Sequence, residues 1–212
     1  MATESKVSQG AVLLGGAVAA VAIAYAATKR TGSRADKEEK TGWDDKSLML
    51  MAPKEELDIS FIRPGLYQGS LPPTGRKLKD AGIDVVVLGT GGYQPPREEF
   101  EGVKVIRSPL KDSERLGQES IDLAVKTSKR MARAIKKGKT VLSSCRAGLN
   151  RSSLLSALTM LRLGETPEGA VAKIRAARGP HALTHGGSAL FLKLIESRYG
   201  IDDKDKDEDE ED

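Results

Sequence analysis

One short segment contains the residue types needed for nucleophilic chemistry. It reads Cys145-Arg-Ala-Gly148-Leu-Asn-Arg151-Ser152 and follows an apolar stretch that ends at Ser143. A cysteine beside a helix start meets the positive end of the helix dipole, which favours the reactive thiolate. Arg151 can offer two parallel N–H donors to phosphate oxygens, and Ser152 can hydrogen-bond to the sulfur. The spacing therefore predicts in-line attack of Cys145 on a phosphoryl group.

The residues between the cysteine and the arginine predict a phosphate-binding loop. Backbone amides in a tight loop at a helix start point toward one spot and bind an anion without a metal. A glycine lets such a loop close around a tetrahedral anion, and an asparagine tolerates unusual backbone angles. The predicted loop consists of Arg146, Ala147, Gly148, Leu149 and Asn150.

This chemistry also needs a group that protonates the leaving oxygen, ideally a carboxylic acid on a loop beside the sheet. Asp112 is the candidate, because it follows a predicted strand that ends at Arg107. Glu114 is the alternative, and either carboxylate could instead cap the helix that follows.

The rest of the chain predicts an α/β domain with a mixed sheet flanked by helices, because apolar strands alternate with amphipathic helices. The predicted strands are 59–62, 66–67, 84–88, 103–107 and 140–143. The predicted helices are 75–81, 119–137, a helix from Asn150 to about Gly164, 167–177 with Thr166 as its cap, and 188–198.

These motifs together resemble the cysteine-dependent dual-specificity phosphatases. Cys145 to Ser152 is similar to the Cys-x5-Arg-Ser/Thr signature of that family, and Pro109-Leu-Lys-Asp112 resembles its general-acid loop. The segments Leu66 to Ser70, Gly82 to Val87 and Ile174 to Leu183 are similar to its early strands and its closing helices. The resemblance covers residues 57–200, which we therefore interpret as the catalytic domain.

The resemblance implies a role for each site residue. Cys145 would be the nucleophile, Arg151 the clamp on the phosphate and Ser152 the group that eases departure of the thiolate. Asp112 would act as the acid and then as the base for water. The family usually has a histidine before the cysteine, whereas this chain has Ser144, whose hydroxyl can still make one hydrogen bond to the loop.

The function predicted from these residues is hydrolysis of phosphate monoesters on Tyr, Ser or Thr side chains, without a metal or other cofactor. Two alternatives are a phospholipid or phosphoinositide phosphatase and a pseudophosphatase that binds phosphorylated partners without turnover. The single cysteine excludes a disulfide framework, and His181 and His185 are interpreted as helix-end or surface residues. Aromatic residues make up 4% of the chain, so a single-stranded nucleic acid is not the expected partner.

The N-terminal region predicts a membrane anchor. Residues 10–27 are uncharged and would form a helix about 27 Å long, close to the roughly 30 Å of a bilayer core. Basic residues follow this stretch, which places the catalytic domain on the cytoplasmic side of a single-pass protein behind the short segment 1–9. A cleaved signal peptide and an interfacial helix are the alternatives. Small residues spaced four apart along the helix predict a homodimer contact.

The charge is distributed unevenly along the chain. The net charge is +4, but residues 202–212 hold nine acids and two lysines, which leaves residues 1–201 at +11. We interpret 28–56 as a polar linker and 201–212 as a disordered acidic tail. The tail either solubilises the protein or competes with acidic substrates for the basic body.

Overall fold

A computed structural model describes residues 56–113, 115–185 and 189–201. Its centre is a five-stranded sheet with strand order β1-β2-β5-β3-β4. β1 and β2 are antiparallel, whereas β2, β5, β3 and β4 run parallel to one another. The strands are β1 (Ile59–Arg63), β2 (Leu66–Gly69), β3 (Val85–Thr90), β4 (Lys104–Leu110) and β5 (Val141–Ser144).

Five α-helices accompany the sheet in the described residues. They are α1 (Lys77–Asp80), α2 (Gln118–Lys136), α3 (Arg151–Leu161), α4 (Pro167–Arg178) and α5 (Ala189–Tyr199), and a short 3₁₀ helix covers Arg97–Glu99. Every residue of α3 is buried, so this helix crosses the core. The structure confirms the predicted mixed sheet flanked by helices.

Successive side chains of a strand point to opposite faces of the sheet, and this places two apolar clusters, one on each face. Val85 and Val87 point into the larger cluster with residues of α2 to α5, whereas Val86 and Leu88 point into a smaller one. All four side chains are at most 4% exposed. This pattern follows from the period of two along a strand, and it fixes the register of β3 between its neighbours.

Element bounds differ from the sequence prediction mainly at β4. The strand continues past Arg107 to Leu110 although Pro109 lies within it. Proline lacks an N–H donor, but β4 is at the edge of the sheet, where a missing donor does not break a ladder with a second neighbour. Asp112 is consequently only two residues beyond the strand end. Thr166 caps α4 as predicted, because its Oγ1 accepts a hydrogen bond from Gly169 N at 3.1 Å.

The predicted location as a single-pass membrane protein is wrong. Within 56–113, 115–185 and 189–201, no helix is both long enough and apolar enough to cross a bilayer. A span needs about 20 consecutive apolar residues, whereas the fully buried α3 is only eleven residues long and contains Arg151 and several hydroxyl side chains. The predicted span at 10–27, with its homodimer contact, lies outside the described residues, as do segment 1–9, nearly all of the linker 28–56, and residues 202–212.

Candidate active site

Cys145 lies at the carboxyl edge of the sheet, directly after β5. Its backbone N–H donates to Gly69 O at 3.3 Å, so the ends of β2 and β5 hold the start of the loop. The residue is 2% exposed, whereas the next residues, Arg146 and Ala147, are exposed. The sulfur therefore lies at the floor of the loop. Its Sγ is 3.3 Å from Ser152 Oγ, the contact that the sequence predicts.

The loop leads directly into α3, whose first amides face the same region. The first hydrogen bond at the start of α3 runs from Leu154 N to Asn150 O. The N–H groups of Arg151, Ser152 and Ser153 consequently have no acceptor within the helix. Together with the helix dipole, these donors favour an anion beside Cys145.

Arg151 is nearly enclosed, with a side chain 10% exposed. Its Nη2 contacts Asp112 Oδ2 at 3.0 Å, so the structure brings together two residues that are 39 positions apart. Its Nε is buried and has no hydrogen-bond partner among the described residues. A buried guanidinium N–H without an acceptor costs free energy, which an anion bound beside it would recover.

Asp112 is held between two side chains. Besides Arg151, His185 lies close to it, with His185 Nδ1 3.4 Å from Asp112 Oδ1, an ion pair only when the imidazole is protonated. The Asp112 side chain is 49% exposed, so it can move away from Arg151 without breaking the core. The interpretation of His185 as a helix-end or surface residue missed this contact, because no local pattern connects the two positions. The alternative acid, Glu114, lies outside the described residues.

Gly148 is where the loop turns sharply against the sheet. Its φ is +71°, and a Cβ there would lie 2.6 Å from Gly69 C and 2.7 Å from Ser70 N. Both distances are shorter than any normal contact, so only glycine fits at this position. The sequence prediction that Gly148 lets the loop close tightly agrees with this geometry.

An ion pair from elsewhere in the chain supports the loop from behind. Arg178 Nη1 contacts Asp58 Oδ1 at 2.7 Å and Nη2 contacts Oδ2 at 3.2 Å, a two-point pairing. The same guanidinium donates from Nε to Gly148 O at 3.2 Å. The Arg178 side chain is only 9% exposed, so this ion pair is not a solvated surface pair. It holds the guanidinium in place to donate to the carbonyl of Gly148.

Two amide side chains complete the support. Gln68 Nε2 donates to Gly148 O at 2.9 Å and to Ser153 Oγ at 2.7 Å. Asn150 does not cap α3 with its side chain; its Oδ1 accepts from Thr184 N at 3.0 Å and from His185 N at 3.3 Å. Asn150 thus connects the phosphate-binding loop to the segment that holds His185. Sequence reasoning did not find Gln68, Arg178 or Asp58.

The expectation about Ser144, beside the nucleophile, needs correction. Ser144 Oγ donates to Val87 O at 2.9 Å, so its hydroxyl joins β5 to β3 instead of bracing the loop. Arg107 donates to Gln94 Oε1 at 2.9 Å and to Pro95 O at 2.7 Å, so it holds the segment after β3. In the described part of the chain, no group of three or more His, Cys, Asp or Glu side chains could hold a metal ion.

The fold is that of the dual-specificity phosphatases, as the resemblance in sequence implied. Human DUSP28 matches with a TM-score of 0.57 and 22% identity, over 70% of this chain and 99% of that one. Tk-PTP in its active form matches with a TM-score of 0.56 and 24% identity, over 66% of this chain and 97% of that one.

A third similar structure belongs to a protein whose name describes interaction instead of phosphatase activity. The human tyrosine phosphatase-like serine/threonine/tyrosine-interacting protein matches with a TM-score of 0.53 and 18% identity, over 68% of this chain and 99% of that one. No protein-family model and no curated protein sequence matches the chain.

Proposed function

We propose that residues 57–200 form a phosphatase domain that hydrolyses phosphate monoesters of proteins through a phosphocysteine intermediate. The observation that carries the proposal is the unpartnered, buried Nε of Arg151 beside the Cys145–Ser152 pair. A phosphate in the loop would supply the acceptor for this N–H and would lie next to the sulfur. The fold of the similar phosphatase structures supports the same chemistry.

The proposed first step breaks the bond between phosphorus and the ester oxygen. The Cys145 thiolate attacks phosphorus, while the guanidinium of Arg151 and the loop amides stabilise charge on the equatorial oxygens. Asp112, protonated and released from Arg151 by the incoming phosphate, gives its proton to the leaving oxygen. The products of this step are the free alcohol or phenol and phosphocysteine.

The second step regenerates the thiolate. The Asp112 carboxylate takes a proton from water, whose oxygen attacks phosphorus and displaces the sulfur as inorganic phosphate forms. Ser152 Oγ donates a hydrogen bond to the departing sulfur, a role that fits their separation of 3.3 Å. Arg151 keeps its contact with the phosphoryl oxygens throughout, because the charge on them rises again in this transition state.

The test is hydrolysis of a small aryl phosphate by the full chain in the presence of a chelator. Cys145→Ser is expected to lower the rate at least about 1,000-fold, because a serine hydroxyl without a base is a poor nucleophile. Asp112→Asn is expected to lower it about 100-fold, with a smaller effect when the leaving group is a good one. Equal rates for the wild-type chain and Cys145→Ser would refute the proposal.

The same measurement separates the enzyme from a binding protein. The similarity to a protein whose name describes interaction makes this alternative concrete. Phosphotyrosine peptide that binds the wild-type chain and the Cys145→Ser variant equally, with no phosphate released from either, would identify a pseudophosphatase. Comparing phosphotyrosine peptide, phosphothreonine peptide and phosphoinositide vesicles then tests the proposed protein substrate against the lipid alternative.

A further inference from the structure

A strongly basic groove lies away from Cys145, between α2 and the amino ends of β3 and β4. Its volume is about 920 Å³. Five of its cations are on α2 or just after it, at Lys126, Lys129, Arg130, Arg133 and Lys137. Three more line its other side, at Lys79, Lys104 and Lys139. Asp84 is the one acidic residue of the lining, so the groove carries a formal charge of about +7.

The groove is at the opposite end of the sheet from the phosphate-binding loop. Asp84 and Lys104 are at the amino ends of β3 and β4, whereas Thr90 and Leu110 end these strands beside the loop. Six residues of β3 separate the two ends by about 20 Å. This distance exceeds the screening length of about 8 Å at physiological salt, so an anion bound at the phosphate-binding loop contributes little to neutralising the groove.

The end of the described chain contacts α2 one turn before the first of the groove's cations on that helix. Tyr199 Oη donates to Asp122 Oδ1, and Gln118 Nε2 donates to the same carboxylate at 2.8 Å. Asp122 is one turn before Lys126 on the same side of α2. Ile201, two residues after Tyr199, is 1% exposed and donates its N–H to Glu196 O at 3.1 Å. The last described residue, Ile201, is therefore held two residues beyond a side chain that contacts α2 one turn before Lys126.

Length and charge of the remaining residues match the groove. Residues 202–212 contain nine acids and two lysines. Extended, eleven residues reach about 36 Å, whereas α2 rises about 22 Å between Asp122 and Lys137. The segment is consequently long enough to run along all the cations of α2 that line the groove. Its net charge of −7 equals in size the groove's formal charge of +7.

We propose that residues 202–212 bind in cis to this basic groove as its resident ligand. The groove is thereby a binding site for acidic peptide segments, which a partner can enter only by displacing the chain's own C-terminal residues. This inference does not depend on the proposed phosphatase activity, because the groove and the phosphate-binding loop share no residue.

The first test is zero-length crosslinking of carboxylates to lysines with a carbodiimide, followed by peptide mass spectrometry on the full chain. We expect crosslinks from residues 202–212 to Lys104, Lys126 and Lys137 at 50 mM salt and their loss at 1 M salt. A mixture of ¹⁴N- and ¹⁵N-labelled protein distinguishes contacts within one chain from contacts between two. Crosslinks mainly to lysines outside the groove, or only between chains, would overturn the proposal.

The second test measures competition with a fluorescein-labelled peptide of residues 202–212. A full-length variant in which the nine acids are replaced by Asn and Gln should bind the peptide at least tenfold tighter than the wild-type chain, because the local competitor is removed. Adding Lys126→Glu and Arg130→Glu to that variant should abolish binding. Lys173→Glu, a charge reversal on exposed α4, is the matched control and should leave binding unchanged.

Each other outcome also decides the question. Equal peptide affinity for the wild-type and neutralised chains would mean that the groove takes acidic partners only in trans, which rejects the cis proposal. Binding of anionic vesicles or of single-stranded DNA to the neutralised chain, with none of the peptide, would reject the groove as a peptide site. In all these variants the aryl phosphatase rate should stay within about twofold of the wild-type rate.

Discussion

The two ends of the sheet both attract anions, but they do so with different chemical groups. At the carboxyl end, the positive charge beside Cys145 comes from the Arg151 guanidinium, whose side chain is 10% exposed, and from backbone amides at the start of α3. At the amino end, it comes from side chains most of which are exposed on α2 and around it. The first end offers few donors at fixed positions, and the second offers many charges at adjustable positions.

This difference separates recognition of one phosphate from attraction of an extended acidic segment. Buried donors held by Arg178 and Gln68 can match the oxygens of a single phosphoryl group, and their contribution depends little on salt. Exposed lysines on long flexible stems bind many acidic residues with little geometric demand, and salt weakens them strongly. Substitutions that preserve charge but change geometry should therefore damage only the carboxyl end.

Arg151→Lys should have the largest effect. It keeps the charge but loses the planar fork and the buried Nε–H, so we expect kcat for an aryl phosphate to fall at least about 100-fold. Arg130→Lys in the basic groove is the matched control, with no change in phosphatase rate or in crosslinking of residues 202–212. Steady-state kinetics with thermal unfolding as a check on folding measures both. A rate within threefold of wild type would remove Arg151 as the phosphate clamp.

Gly148→Ala should disrupt the loop through steric contact with Gly69 and Ser70. We expect a loss of about 2–4 kcal/mol in the free energy of unfolding and a drop in activity larger than the fraction unfolded explains. Gly164→Ala is the control, since Gly164 also has a positive φ, +81°, but a Cβ there meets no atom within 4 Å. That variant should lose only about 1 kcal/mol. Urea unfolding measures both losses. Equal losses of unfolding free energy in Gly148→Ala and Gly164→Ala would mean that the close approach of Gly148 to Gly69 and Ser70 is unimportant.

His185→Gln should have a moderate effect on catalysis. His185 is placed to position Asp112, so its loss should lower kcat about three- to tenfold for substrates with poor leaving groups. Substrates whose leaving group needs no proton should be hydrolysed at nearly the wild-type rate. A plot of log kcat against leaving-group pKa measures this change in slope. A uniform decrease across the series would indicate a structural role for His185 instead.

Asp84→Asn should have the smallest effect of the four substitutions. It should lower the free energy of unfolding by removing a contact at the amino end of the sheet. Thr140 N donates to Asp84 Oδ2 at 3.0 Å, and this hydrogen bond is the main reason why the pKa of Asp84 lies below its ordinary 3.8. Desolvation raises this pKa, and the positive charges of Lys139 and Lys79 lower it further. A lowered pKa stabilises the folded state at all pH values above 3.8, and this contribution is lost as pH falls through the folded value. We expect Asp84→Asn to cost about 1 kcal/mol at pH 7.

Urea unfolding from pH 7 down to pH 3 tests the sign of this effect, because the difference between wild type and Asp84→Asn should narrow as the pH falls. Asp80→Asn is the control, since the Asp80 side chain is 67% exposed and lies 3.9 Å from a similarly exposed Arg76. Its substitution should leave stability nearly unchanged at every pH. A difference for Asp84→Asn that widened toward pH 3 would contradict the assigned sign.

The sequence was most informative where one local segment contains the whole pattern. Cys145, Gly148, Arg151 and Ser152 lie within eight residues, and the loop and helix that they predict form as expected. Asp112 was identified from its place after a strand, because parallel strands bring their carboxyl ends to one edge of the sheet. Its contact with Arg151 follows from that topology.

The missed residues have in common that their contacts span long distances in sequence. Gln68 meets Ser153 across 85 positions, and Arg178 meets Asp58 across 120. Nothing in the local pattern around either residue marks it as part of the site, since each also fits an ordinary strand or helix. The predicted membrane location was wrong, because no helix in residues 56–113, 115–185 and 189–201 is both long and apolar enough to cross a bilayer.

The Arg178–Asp58 pair has a consequence for how the protein folds. It joins the segment before β1 to the end of α4, so the part of the Gly148 support that Arg178 provides exists only after nearly the whole described chain has come together. Local helices form in microseconds, whereas contacts this distant along the chain are made late. Recovery of phosphatase activity during refolding should therefore lag behind recovery of helical circular dichroism, which makes turnover a reporter of the last contacts to form.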